Sequence, residues 1–433
     1  MRIAYALTHP IQYQVPLIRH LRAGGIDLEV VYATDITARG YQDAGFGTRV
    51  TWDVPLLEGY PHRVLFPDAP LPSGLRAFGR HRRALSAAFD EIKPDAVWVH
   101  GWGNSYPLAA LRAARLKNLP VLMRGETYLD CLHGGKLRRA VHAAALSLLF
   151  RSVSQFLAIG SANREYYRCH GVSDERIQLA PYAVDNAFFQ ARCQEASLNR
   201  EKLRAELGIE PGRPVILFCA KLIPVKDPAT LIRAVGRLAG APAHAGASGD
   251  RVLANAPTND VGAPAKVRDS DDRALANAPT VPVLLMVGDG ELRPSLEKLA
   301  NEVAPGQVKF LGFRNQTELP ALYDLCDLFV LPSVFEPWGL VVNEVMNAGK
   351  PVVVSDKIGS GHDLVRPGIN GDVFPAGNVD ALVEKMSPWL HDAALRERGG
   401  EESLQIINHW GFEENLAGMR QAIESLQQAS HHA

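Results

Sequence analysis

Residues 214–227 read PVILFCAKLIPVKD. An unbroken apolar run of this length, opened by a proline and closed by a lysine, reads as a strand buried on both faces. Such strands belong to parallel sheets covered by helices on either side. The position of the run decides the fold. It follows a polar stretch (190–212) that ends in Pro211 and Gly212, and it restarts a pattern that the chain has already run once. Before it come RIAYAL (2–7), LEVVYA (28–33), AVWVH (96–100), VLMR (121–124) and FLAIG (156–160), with helical patterns such as PLAALRAARLKN (107–118) between them. After it come VPVLLMVG (281–288), VKFLG (308–312), DLFVLP (327–332) and PVVVSD (351–356). The expected fold class is therefore α/β, with two doubly wound Rossmann-like domains facing each other across a cleft and joined near residues 185–210.

The expected domains are 1–190 and 191–408. The closing segment 409–433, which contains HWGFEENLAGMRQAIESLQQ, forms one helix with an apolar stripe that packs back toward the first domain. Residues 241–280 break the rhythm. They are rich in Ala, Pro, Gly and Asp and repeat themselves as DRVLANAPT (250–258) and DRALANAPT (272–280), which reads as a disordered insertion without a catalytic part.

Composition excludes several classes. The 433 residues carry a net charge of −1, so no global basic field attracts nucleic acid. The five cysteines, Cys131, Cys169, Cys193, Cys219 and Cys326, form no CxxC pair, which argues against disulfide or zinc frameworks. MRIAYALTHP is too short for a signal peptide or a membrane span, and a cytoplasmic protein is expected. LRRAVHAAALSLLF (137–150) is an amphipathic helix with a basic start, so peripheral contact with the inner face of the cell membrane is a second expectation beside ordinary packing.

Ligands of open α/β sheets bind beyond the carboxyl ends of the strands. Four such loops carry chemistry in the second half. AKLIPVKD (220–227) offers Lys221 and Lys226, two cations suited to a diphosphate. VGDGELRPSLEKLA (287–300) offers a tight turn at Gly288, Asp289 and Gly290, where a ligand can approach the backbone. No GxGxxG and no Walker lysine accompany it, which weakens a dinucleotide reading. LGF (311–313) offers Phe313 as an apolar wall for a base. LPSVFEPWGLVVNE (331–344) offers Glu336 before a helix that starts near Gly339 and Leu340, and Glu344 on that helix. One acid in the loop and one along the helix suit the two ends of an elongated ligand better than the two sides of one bond.

LPSVFEPWGLVVNEVMNAGKPVVVSD (331–356) resembles the Glu-x7-Glu motif of retaining glycosyltransferases of family 4, which have the glycosyltransferase-B fold. The GDG turn, the lysine pair and SDKIGSGHDLVRPGINGDVF (355–374) match in the same order. The resemblance implies a metal-independent transfer, without cofactor, from a nucleotide-diphosphate sugar to a glycan or lipid-linked acceptor. It implies that Lys226 meets the donor diphosphate, with Lys221 where an arginine is usual. Glu344 would hold the ribose hydroxyls and Glu336 the donor sugar, while Gly339, Leu340 and Ser333 complete the donor site. In the first half THPIQYQVPL (8–17) resembles a bacterial subset of the family and points to His9 and Gln12. VWVHGWGN (97–104) points to His100 as an acceptor contact. VLMRGETYLD (121–130) has Arg124, Gly125 and Glu126 where the family has His-Gly, so Arg124 or Glu126 would substitute for the cleft histidine. Three alternatives stand beside this reading: a sugar-nucleotide epimerase, a glycan phosphorylase with a lysine-bound pyridoxal cofactor, and a non-catalytic nucleotide-sugar-binding protein.

Overall fold

The structure is a computed structural model that describes residues 1–43, 45–72, 74–128, 136–240 and 281–431. The expected disordered insertion at 241–280 lies outside the described residues, as does Cys131. Strands of the first lobe are β1 (Arg2–Leu7), β2 (Asp27–Tyr32), β3 (Tyr41–Asp43), β4 (Thr48–Val50), β5 (His62–Val64), β6 (Ala96–His100), β7 (Val121–Arg124), β8 (Gln155–Ala158) and β9 (Ile177–Leu179). Those of the second are β10 (Val215–Cys219), β11 (Val283–Val287), β12 (Val308–Gly312), β13 (Leu328–Leu331), β14 (Val352–Ser355) and β15 (Gly371–Phe374). The first sheet has the order β5-β2-β1-β6-β7-β8-β9 and the second β12-β11-β10-β13-β14-β15. Both are parallel throughout, while β3 and β4 form a separate antiparallel hairpin. This is the doubly wound pair expected from the alternating runs.

The apolar runs become strands because helices cover both faces. Every residue of β11 is buried, as is every residue of β13 and β14. The hairpin and the strands β5, β9 and β15 had no counterpart among the expected strands. They are three or four residues long and carry His, Arg, Gln or Asp, so pattern alone does not distinguish them from loops. The final helix, Phe412–His431, packs on the first lobe. Leu416, Met419, Ala422 and Leu426 join the core that contains β1 and β2, and a Cβ at Gly418 would overlap the carbonyl oxygen of Leu179. The helix Lys136–Phe150 buries Leu146 and Phe150 and exposes Val141 and Leu148. Among the described residues no helix is long and apolar enough to cross a membrane.

Topology positions the site. Strand order reverses between β1 and β6 in one sheet and between β10 and β13 in the other. At such switch points the following loops diverge and leave a crevice. The loops concerned are those after Leu7, His100, Cys219 and Leu331, which are the loops that carry most of the chemistry-bearing motifs.

Candidate active site

A cavity of about 330 Å³ lies between the lobes. Its second-lobe wall includes Lys221, Lys226, Gly288, Phe313, Glu336, Gly339, Leu340 and Glu344, and Gln12, Tyr13, Phe46 and Trp52 face it from the first lobe.

Lys226 ends a single 3-10 turn, Pro224–Lys226, and the next residue, Asp227, has a left-handed φ of 44° before the helix Pro228–Leu238 begins. This sharp change of direction leaves the lysine beyond the end of β10. Its ammonium contacts the Glu336 carboxylate directly, and both side chains are largely buried. Burial and the neighbouring Lys221 charge pull Lys226 down to about 8, and the Glu336 carboxylate acts in the opposite sense by favouring the ammonium. Glu336 is fixed by its backbone: its N–H donates to Lys357 and its carbonyl accepts from Gly359. Gly339 follows with φ 90°, a left-handed conformation that favours glycine, and a Cβ there would crowd Glu336 Cγ at 3.2 Å.

Glu344 lies on the helix Leu340–Met346, between buried Asn343 and Val345. Tyr323 Oη donates to Glu344 Oε2 at 2.5 Å. Burial pushes this carboxyl up to about 7, against the stabilising hydrogen bond from Tyr323.

Other expected residues are placed differently. Lys221 is bound by Asp43 of the first lobe, with Nζ 2.7 and 3.0 Å from the two carboxylate oxygens. Gly288 lines the cavity at φ 125°, and a Cβ there would overlap the carbonyl of Ala220. Asp289 instead accepts from Arg293 at 2.9 Å, and Gly290 abuts the carbonyls of Leu222 and Gly45. Ser333 is fully buried beneath the loop, and its hydroxyl has no hydrogen-bond partner among the described residues.

A second cavity of about 290 Å³ in the first lobe is lined by Thr8, His100, Trp102, Asn104, Glu126 and Thr127. His100 Nε2 lies 3.2 Å from Glu126 Oε1, and Nδ1 lies 3.0 Å from Tyr5 Oη. An ionised Glu126 assigns the proton to Nε2 and leaves Nδ1 to accept from Tyr5. Burial pushes the Glu126 carboxyl up, but bonds from His100 and Tyr182 and the Arg124 charge outweigh it and hold it below its usual value. Tyr182 also bonds Tyr13 at 2.9 Å, so a chain of side chains runs from this pocket to the main cavity. Arg124 is corrected as a cleft candidate. Its side chain is only 1% exposed, because the guanidinium stacks on Tyr182 at 4.9 Å and donates to the carbonyl of Pro181 at 3.2 Å. His9 bonds Thr8 at 2.8 Å, and burial above all lowers it to about 4, so it is neutral at pH 7.

The profile described as "Glycosyl transferase 4-like domain" matches residues 10–183, and that described as "Glycosyl transferases group 1" matches residues 274–405. Each of the two domains thus resembles a glycosyltransferase domain. D-inositol 3-phosphate glycosyltransferase of Mycobacterium marinum is 26% identical over 350 residues, which is 77% of this chain and 62% of that protein. Alpha-D-kanosaminyltransferase of Streptomyces kanamyceticus is 34% identical over 125 residues, 28% of this chain and 32% of that protein. The chain thus spans less than two thirds of the length of either relative. Among solved structures, Anabaena HepE in complex with UDP and glucose superposes with a TM-score of 0.67 at 19% identity, covering 99% of this chain and 100% of that one. Sucrose-phosphate synthase of Thermosynechococcus elongatus superposes with a TM-score of 0.65 at 18% identity, with the same coverage. These superpositions identify the fold as that of glycosyltransferases of the B type.

Phe46, Trp52, Tyr13, Tyr323 and Asp43 are site residues that sequence reasoning missed. Tyr323 carried one available signal: it lies on the helix Leu319–Leu325, whose other residues are largely apolar. The others sit in a short polar hairpin, the loop after it and the turn before the first helix.

Proposed function

We propose that this protein is a retaining, metal-independent glycosyltransferase that moves a sugar from a nucleotide-diphosphate sugar to a hydroxyl of a glycan or lipid-linked acceptor. The observation that carries the reading is the convergence of Lys226, Glu336, Gly339 and Glu344 on one cavity between the lobes. In this structure Lys226 and Glu336 satisfy each other. On donor binding the ammonium turns to the diphosphate and Glu336 accepts from hydroxyls of the donor sugar, while Glu344 as an anion accepts from the ribose hydroxyls.

The bond from the anomeric carbon to the phosphate oxygen breaks as the bond to the acceptor oxygen forms on the same face. The acceptor's proton passes to the departing phosphate oxygen. Lys226 stabilises the charge that develops on the leaving diphosphate, so this scheme requires no metal. The acceptor is assigned to the first-lobe pocket, where His100 and the Glu126 carboxylate offer a donor and an acceptor to its hydroxyls. A lipid-linked acceptor would approach along the helix Lys136–Phe150, whose exposed Val141 and Leu148 are the surface assigned to the membrane. Loss of vesicle co-sedimentation in a Val141→Ser, Leu148→Ser double variant tests that contact, and unchanged sedimentation rejects it.

Support comes from both domain matches and from the fold shared with HepE, which has been captured with UDP-glucose. The test is turnover of a panel of nucleotide sugars with glycan acceptors, read as release of nucleoside diphosphate. Lys226→Ala should lower turnover about a hundredfold or more, the usual loss on removing one donor to a developing oxyanion. Unchanged turnover would remove Lys226 from the mechanism.

A further inference from the structure

The donor cavity is walled on one side by three aromatic rings that come from both lobes. Phe313 follows β12, the edge strand of the second sheet. Phe46, at the tip of the β3–β4 hairpin, meets it edge-on with centroids 4.9 Å apart, and Trp52 lies 6.3 Å from it. All three line the cavity and are only half-buried, so part of each ring remains accessible.

The order of loops along the sheet gives this wall its place. From β12 the sequence of strand ends is Phe313, then Gly288 after β11, then the lysines after β10, then Glu336 after β13. Three strand spacings separate the first from the last, roughly 14 Å. Aromatic rings therefore stand at one end of a row whose middle is cationic and whose far end carries an acid. A nucleotide sugar laid along that row with its diphosphate at Lys226 and its sugar at Glu336 has its base among the rings.

The hairpin is held there by a built contact. Asp43 grips Lys221 with both oxygens and also accepts from Tyr41 Oη at 2.8 Å and from the N–H groups of Gly45 and Phe46 at 2.8 and 3.0 Å. Lys221 Nζ in turn sits 4.7 Å from the Phe46 ring centroid. Just beyond, Asn315 Nδ2 donates to the carbonyl of Thr51 at 2.8 Å and the Thr317 N–H donates to Asp53 at 3.1 Å, which pins the segment on either side of Trp52.

We propose that Phe46 and Trp52 of the first lobe, together with Phe313, form the nucleobase subsite of the donor, and that the Asp43–Lys221 pair positions this wall. The inference rests on the donor reading of the cavity and adds specificity-determining residues from the opposite lobe. It also gives Lys221 a different task from Lys226: it locks the wall, while Lys226 meets the diphosphate.

Calorimetric titration of the full chain with adenosine, cytidine, guanosine, thymidine and uridine diphosphates and with inorganic pyrophosphate separates the parts. The nucleoside diphosphate that binds the wild type should lose about tenfold or more in affinity in Phe46→Ala and in Trp52→Ala, in line with the loss of one base–aromatic stack. Pyrophosphate affinity should stay the same in both variants. Phe46→Tyr should retain nucleotide affinity, and Asp43→Asn should weaken nucleotide but not pyrophosphate. Unchanged nucleotide affinity in both alanine variants would overturn the proposal. So would an equal loss for nucleotide and pyrophosphate, which would make the rings general support for the cleft. A wild type that binds none of the five nucleotides would instead bring down the donor reading itself, and this inference with it.

Discussion

At the scale of single residues, two groups with displaced acidities line the cavity between the lobes. Glu344 is pushed up to about 7 by burial and Lys226 is pulled down to about 8. The proposed chemistry needs the first as an anion and the second as a cation. Below about 7 the free protein loses the anion, and above about 8 it loses the cation. A plot of kcat/KM for the donor against pH should therefore be a narrow bell centred between these values. A flat profile from pH 6 to 9, on the order of the range these groups span, would contradict the assignment.

The same displacement has a stability consequence. Folded Glu344 keeps its proton up to about 7 while the unfolded chain releases it near 4.5, so the folded state loses stability as pH rises through that window. Glu344→Gln should consequently stabilise the protein at pH 8 by roughly 1–3 kcal/mol in denaturant titrations while weakening nucleotide binding. A variant less stable than wild type at pH 8 would show that the carboxylate is better accommodated than its burial indicates.

The second-half residues were readable because each follows a strand that pattern alone identifies, and loops after parallel strands converge. Asp43, Phe46 and Trp52 were not, because their partners lie far away in sequence. Asp43 and Lys221 are 178 positions apart, and nothing local marks either end of such a contact. Arg124 was misread for a related reason. A charged residue at a strand end looks exposed until the Tyr182 ring and the Pro181 carbonyl are brought against it.

At the scale of elements, glycines set how closely the pieces approach. The last helix meets β9 at Gly418, where no side chain fits against the carbonyl of Leu179. Gly418→Ala should destabilise the protein by about 1–3 kcal/mol, the usual range for overpacking, with protease cleavage appearing first within residues 412–431. Wild-type stability would mean that the helix can lift without cost. The central strands announce themselves as apolar runs because both faces are buried. The edge strands β5, β9, β12 and β15 vary in readability with composition. VKFLG was found at the edge because it runs for five residues of which four are apolar or glycine, whereas HRV, IQL and GDVF are only three or four residues long, too short for a pattern to show.

At the scale of the whole molecule, the two lobes are tied where the chain crosses between them. The carbonyl of Tyr182 on the outward crossing accepts from Asn343 Nδ2 at 3.0 Å and from Trp410 Nε1 at 3.2 Å on the return crossing. Asn343 also accepts from Trp338 Nε1 at 2.9 Å, and Trp338 stacks on Trp410 at 5.7 Å. Asn343 thus joins the lobes one residue away from Glu344. Asn343→Leu strips the Trp338 donor of its buried partner and should cost roughly 1–3 kcal/mol. It should also widen the mean separation of the lobes in solution scattering. An unchanged scattering profile and stability would show that the crossing does not restrain the lobes.

The central physical claim is that loops from two facing sheets grip a nucleoside diphosphate, with Lys226 at its middle. The most direct test is the shift in unfolding stability of the wild type and of Lys226→Ala as nucleoside diphosphates are titrated in. One nucleotide held at a hundred times its dissociation constant should stabilise the wild type by about 2.7 kcal/mol, and the same concentration should leave Lys226→Ala nearly unshifted. Equal shifts in the two proteins, or no shift in the wild type with any nucleotide, would contradict the claim.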